Sequence, residues 1–139
     1  MVHSGKILAL DYGLRRIGLA ITDMNRTMVF PRPRLDNKGE AFVFEQLGKM
    51  ITNEDVTSVI LGYPYDDSHI ETVQTEVMKV FGERLSKALS IPVFFEDEKY
   101  TTAEAEALLD SYGYDFKEKK LQRDSIAAML ILQSYLDRV

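Results

Sequence analysis

Three stretches of this chain place acidic side chains where an apolar run ends or a helix begins. In "LALDYGLRRIGLAITD", Leu8 to Asp23, Asp11 closes an apolar run and is followed by Gly13, Arg15 and Arg16. In "FFEDEKYTT", Phe94 to Thr102, Asp97 and Glu98 fall between a second apolar run and a predicted helix start. In "RDSIAAML", Arg123 to Leu130, Asp124 opens the last apolar-periodic segment. Carboxylates are hard oxygen ligands that suit magnesium or manganese. A carboxylate site holding one or two such ions suits in-line cleavage of a phosphodiester, where the ions stabilise the attacking and leaving oxygens. Arg15 and Arg16 behind the first acid, and Lys117, Lys119, Lys120 and Arg123 before the third, would then face a phosphate backbone.

Each acid alone has a plainer reading. Asp-x-Gly is a common turn, Asp97 and Glu98 would favour the positive end of a helix dipole, and Asp124 would be an ordinary N-cap. What joins them is the rest of the composition. The chain has no cysteine and two histidines, His3 and His69, which excludes disulfides, thiolate catalysis and cysteine-ligated zinc. Serine–histidine catalysis and a histidine-rich metal site fit poorly. Chemistry here would rest on carboxylates.

The net charge of −5 is unevenly spread. Residues 1–38 carry +4, residues 39–110 carry −10 and residues 111–139 carry +1. An acidic protein binds a polyanion when its cations gather on one face. Scattered charges otherwise read as solvated surface.

The elements that must position these residues follow from periodicity. Ile7–Leu10 and Ile17–Thr22 read as strands joined by a turn at Gly13. Thr27–Leu35 reads as a third, limited by Pro31 and Pro33 to an edge or an early end. Glu40 to Ile51 has helical spacing, Val56–Leu61 is a buried-type strand ended by Gly62 and Pro64, and Thr72 to Leu89 is helical. Its predicted buried stripe is Val73, Val77, Val80, Phe81, Leu85 and Leu89. Ile91–Phe95 is a last strand, and Thr101 with Glu104 forms a capping box that starts a helix ending near Gly113. Asp115 to Gln122 reads as a charged loop before a final helix, Asp124 to Leu136, in which Ala127 and Ala128 allow close approach to a sheet.

The order β-β-β-α-β-α-β-α-α predicts an α/β fold: a mixed five-stranded sheet, its first three strands antiparallel, flanked by helices on both faces. With 139 residues and 45% hydrophobic content the chain fits a single domain, residues 1–139. Its apolar runs fall far short of the ~20 residues that span a bilayer, so a soluble, cytoplasmic protein without membrane contact is expected. Alternation puts Asp11 on the sheet face of Ile7 and Ala9. If that strand is central, the buried carboxylate needs a cation or several donors.

These motifs resemble the YqgF/RuvX family, ribonuclease-H-like proteins described as nucleases of pre-16S ribosomal RNA and related to Holliday-junction resolvases. The first stretch resembles the family's opening strand–turn–strand, with Asp11, Gly13, Arg16, Gly18, Ala20 and Asp23 in place. "VILGYP", Val59 to Pro64, resembles its G-x-P motif. "EDEKYTTAEA", Glu96 to Ala105, and "DSIAAMLILQSYL", Asp124 to Leu136, resemble its last two motifs. The resemblance implies a ribonuclease-H-like fold and a nuclease using Mg²⁺ or Mn²⁺ held by Asp11, Glu98 and Asp124. It also implies a substrate of precursor rRNA or, alternatively, branched DNA, cleaved by a monomer or homodimer. Arg15, Arg16, Lys99, Lys117, Lys119, Lys120 and Arg123 would line the nucleic acid. Lys99 departs from the family's arginine, turning a bidentate phosphate clamp into a point charge. The loop after Pro64 also departs, and its Asp66 and Asp67 are alternatives to Glu98 as second ligand. Two further readings remain: a non-catalytic nucleic-acid-binding module of this fold, and the phosphate motif of sugar kinases and actin-like ATPases. The latter bind nucleotide between two such lobes, and this chain supplies one.

Overall fold

Alternation along the first strand, β1 (Lys6–Tyr12), sends Leu8 and Leu10 to one face and Ile7 and Ala9 to the other, and all four are buried. A strand covered on both faces belongs at the centre of a sheet. The computed structural model, which describes residues 5–64, 73–98, 102–115 and 125–139, places β1 there. After it come β2 (Arg16–Thr22), β3 (Val29–Asp36), α1 (Glu40–Asn53), β4 (Val56–Pro64) and α2 (Val73–Leu89). The last three described elements are β5 (Val93–Glu98), α3 (Thr102–Ser111) and α4 (Ile126–Arg138). The sheet order is β3-β2-β1-β4-β5. β1, β2 and β3 are antiparallel, while β4 runs parallel to both β1 and β5. This is the mixed, doubly covered sheet expected from the sequence.

Two cores result. Leu8, Leu10, Ile17, Leu19, Val59 and Leu61 pack beneath α1 and α2, through Val43, Leu47, Met78, Phe81 and Leu85. Ile7, Ala9, Ala20 and Ile60 pack beneath α3 and α4, through Leu109, Ala128, Met129, Ile131 and Leu132. The buried Ala128 bears out the close approach expected of that helix.

Several boundaries differ from the sequence expectation, each for a tertiary reason. β4 runs on through Gly62 to Pro64, because β5 continues to pair with it there after the pairing with β1 has ended. β5 continues past Phe95, pairing Glu96, Asp97 and Glu98 with Gly62, Tyr63 and Pro64. Asp97 and Glu98 are therefore strand residues rather than a linker before the next helix. On α2 the buried face is Thr75, Met78, Phe81, Gly82 and Leu85, whereas Val77 and Val80 are 53% and 39% exposed. Gly82 explains the rotation: a Cβ there would lie 2.7 Å from Phe95 Cζ and 3.4 Å from Leu61 Cδ2. A larger residue there would have to displace the Phe95 ring. α4 begins at Ile126 with Ser125 as its flanking residue, two positions later than expected. The Thr101 capping box and the charged loop from 116 onward lie outside the described residues.

Both prolines of β3 are accommodated in an edge strand, as anticipated. Between the pairs Ile17↔Leu35 and Leu19↔Arg32, β2 supplies only Gly18 while β3 supplies Pro33 and Arg34. That is a β-bulge, and proline fits it because the bulged residue has no ladder bond to donate. Side-chain hydroxyls repair both irregularities of the sheet. At the β1–β4 register shift beside Ile7, the Ile7 amide donates to Thr22 Oγ1 at 2.9 Å. At the β3 bulge, Leu19 N–H donates to Ser125 Oγ at 3.4 Å and Ser125 Oγ donates to Arg32 O at 2.5 Å.

The β2–β3 connection is tied by Asp23. Its carboxylate accepts from the Thr27 amide at 2.7 Å, the Thr27 hydroxyl at 2.6 Å and the Met28 amide at 2.9 Å. These donors, the Met28 amide foremost and then the Thr27 hydroxyl, hold its pKa below the ordinary value of 3.8. A depressed acid contributes stability that is complete above the unfolded pKa and is lost as pH falls through the folded one. We therefore expect Asp23→Ala to cost about 1 kcal/mol at pH 7, a figure kept low by the solvent around the loop. The gap in melting temperature between variant and wild type should shrink below pH 3.8. An unchanged gap across thermal melts at pH 7 and pH 2.5 would exclude an ionic origin.

Candidate active site

Asp11 is the penultimate residue of β1 and continues the alternation of Ile7 and Ala9, so its carboxylate leaves the sheet on the α4 face. It is half-buried. Its direct partner on β2 is Gly18. On the other side the β1–β4 register, which ends at Leu10↔Leu61, brings Gly62 alongside at the next step. Asp11 thus projects between two strand neighbours that have no side chain. Among the described residues no hydrogen bond or ion pair reaches its carboxylate.

Glu96, paired with Gly62 one strand further out, is the contrasting case. Its side chain is 9% exposed, accepts from Ser134 Oγ at 3.0 Å and is paired with Arg138 Nη2 at 2.5 Å. Hydrogen bonding to Glu96 raises the Arg138 pKa above its ordinary value. Of these two acids on one level and face, Glu96 has a cationic partner among the described residues and Asp11 has none. A half-buried carboxylate without protein donors calls for an external cation. Asp11 therefore fits a hard divalent metal, which takes oxygen ligands.

The turn after β1 is rigidly built. A Cβ on Gly13 would lie 2.5 Å from the Arg16 carbonyl oxygen, so only glycine passes. Asn37, just beyond β3, grips the same turn: its Nδ2 donates to Gly13 O at 3.0 Å and its backbone N–H donates to Arg15 O at 2.9 Å. Asn37 carried no motif in the sequence, where it reads as one polar residue in a loop before Gly39. Arg15 and Arg16 are exposed on this turn. Leu14, 88% exposed, stands at its tip.

The structure thus brings Asp11, Arg15 and Arg16 to one edge of the sheet, the edge at which the parallel strands β1, β4 and β5 end. Glu98 is the final residue of β5 at that edge, and its side chain is outside the described residues. Lys99, Lys117, Lys119, Lys120, Arg123, Asp124, Asp66 and Asp67 also lie outside them. Among the described residues, no three histidine, aspartate or glutamate side chains group closely enough to hold an ion. Across the sheet from Asp11, a cavity of about 330 Å³ is lined by Tyr12, Phe81, Val77, Val80, Glu40, Glu76 and Arg84. Two acids against one arginine make it a poor place for a phosphate.

A family profile described as RuvX, Holliday junction resolvase, matches residues 5–138. The chain belongs to the RuvX family. Among its curated relatives, a Rickettsia conorii protein is 32% identical over 139 residues, covering all of this chain and 90% of that one. A Rickettsia peacockii protein is 31% identical over the same span and coverage. Both are named candidate pre-16S rRNA nucleases. Among solved structures, T. thermophilus RuvC in complex with a Holliday junction superposes with a TM-score of 0.61 at 9% identity, covering 96% of this chain and 95% of that one. The Fowlpox virus resolvase bound to Holliday junction DNA gives 0.58 at 14% identity, covering 96% and 97%. At such identities the likeness is one of fold, the ribonuclease-H-like sheet that RuvX proteins share with resolvases. No helix among the described residues is long and apolar enough to cross a membrane.

Proposed function

We propose that this RuvX-family chain is a divalent-metal-dependent nuclease that hydrolyses phosphodiester bonds in structured RNA, with the 5′ end of precursor 16S rRNA as its substrate. The observation that carries the reading is the Asp11 carboxylate, half-buried, without a partner among the described residues, and flanked by Gly18 and Gly62 at the ligand-binding edge of the sheet. Asp11, Glu98 and Asp124 would hold Mg²⁺ or Mn²⁺. Glu98 closes β5 at the same edge, and Asp124 precedes Ser125, which is bonded to Leu19, one register step from Gly18.

When bound, the ion supplies stabilisation of the charge on the attacking and leaving oxygens. The protein's share is positional. The two glycines leave room for a phosphate beside Asp11, and the Asn37-gripped turn presents Arg15 and Arg16 to the phosphates on either side. The water oxygen forms the new bond to phosphorus, the opposite bridging P–O bond breaks, and the leaving oxygen takes up a proton. Lys99, Lys117, Lys119, Lys120 and Arg123 would complete a positive rim.

The family description favours one second reading, resolution of Holliday junctions. A resolvase makes paired cuts and so requires a symmetric dimer with two sites. A cleavage assay separates the two. With Mg²⁺ or Mn²⁺, the purified chain should cut precursor 16S rRNA in preference to single-stranded RNA and four-way DNA junctions. Preferential paired cutting of junctions by a dimer would replace RNA with branched DNA as substrate. Cleavage of none of the three with either metal would leave a nucleic-acid-binding module.

A further inference from the structure

Ser125 stands at the position flanking a helix N-terminus, where a serine normally accepts from an amide of its own first turn. It does not do so here: no side-chain bond caps α4. The hydroxyl instead enters the sheet, accepting from Leu19 N–H and donating to Arg32 O, across sequence separations of 106 and 93 residues. The residue is 2% exposed. It occupies the place where the bulge of Pro33 and Arg34 interrupts the β2–β3 ladder, opposite Gly18, which pairs with Asp11. A hydroxyl is the smallest group that can both donate and accept, which is what the broken ladder position needs.

We propose that Ser125 is a positioning residue for the metal site: seated in the bulge, its hydroxyl sets where the chain enters α4 relative to Asp11. The inference rests on the metal-dependent reading above and assigns a part of the fold to it. At the far end of the same helix, Ser134 and Arg138 bind Glu96 on β5. α4 is thus fixed at both ends, but only the Ser125 end lies beside the Asp11–Gly18 pair. This supplies an internal control.

The test compares Ser125→Ala with Ser134→Ala, each removing one serine anchor of the same helix. Mn²⁺ binding to nucleic-acid-free protein is measured by calorimetry, with thermal melts and hydrogen exchange at the Leu19 amide alongside. Ser125→Ala should raise the Mn²⁺ dissociation constant about tenfold or more, the usual effect of losing a group that orients a metal ligand. It should also accelerate Leu19 exchange. Ser134→Ala should lower the melting temperature and leave Mn²⁺ affinity within about twofold of wild type, since that end holds no ligand. If Ser125→Ala does not fold, Ser125→Cys keeps a weak donor and acceptor at the position, and the same comparison applies. Equal Mn²⁺ affinity in wild type and the Ser125 variant, or equal losses in the two serine variants, would overturn the positioning role alone. Absence of Mn²⁺ binding by the wild type would overturn the metal reading beneath it.

Discussion

Asp11→Asn should lower the rate of RNA cleavage by on the order of 10³-fold or more, as removal of groups that support transition-state charge commonly does. The exchange keeps the side chain's size and removes the charge. The fold should survive, and without metal the variant should melt at or above the wild-type temperature. That follows from the environment: no hydrogen bond or ion pair among the described residues is lost with the charge. RNA affinity measured without metal should be equal or tighter, because a negative charge facing the phosphates is gone. Rate, stability and affinity must be read on the same preparation. A variant that cleaves at the wild-type rate when loaded with metal would remove Asp11 from the chemistry. A variant that loses activity only in proportion to lost folding would make Asp11 a structural residue.

RNA binding by the wild type should fall about 50-fold between 50 and 200 mM salt, the change expected for roughly four phosphate contacts with a single strand. The motivation is the charge layout. Segments of +4 and +1 flank a middle of −10, and two exposed arginines sit on the turn that Asn37 secures beside Asp11. Arg15→Ala combined with Arg16→Ala should weaken binding across all RNA sequences and flatten the salt slope by about 1 to 2. An unchanged slope in the double variant would move the phosphate track away from the β1–β2 turn. Salt-insensitive binding would argue against a positive rim altogether.

The architecture was readable because it rests on local periodicity. Alternation in Ile7–Asp11, the spacing of Val43 and Leu47, and the order of elements are properties of short windows. So was the unusual position of Asp11, since a carboxylate ending a doubly apolar strand is conspicuous without any structure. The parts that escaped depend on groups distant in sequence. β5 extends over Glu96, Asp97 and Glu98 because β4 offers it partners, a fact absent from the segment itself. The buried face of α2 is chosen by the contact of Gly82 with Phe95 and Leu61, and counting apolar residues selected Val77 and Val80 instead. Asn37 and Ser125 each act through two hydrogen bonds to remote backbone, and an asparagine or serine in a loop or at a helix start has many ordinary uses. Glu98 and Asp124 were assigned by motif alone.

The bond from Leu19 to Ser125 also has a meaning in time. Asp11 is synthesised more than a hundred residues before Ser125, whose hydroxyl bonds the start of α4 to β2. At 5–20 residues per second that interval lasts roughly 5 to 20 s. Throughout it, a nascent chain displays its first acid and its basic turn without α4 in place. Such a chain sits on a ribosome, surrounded by the same class of RNA proposed as its substrate. If the proposed site needs both segments, a nascent chain that stops short of Ser125 would touch ribosomal RNA without cutting it.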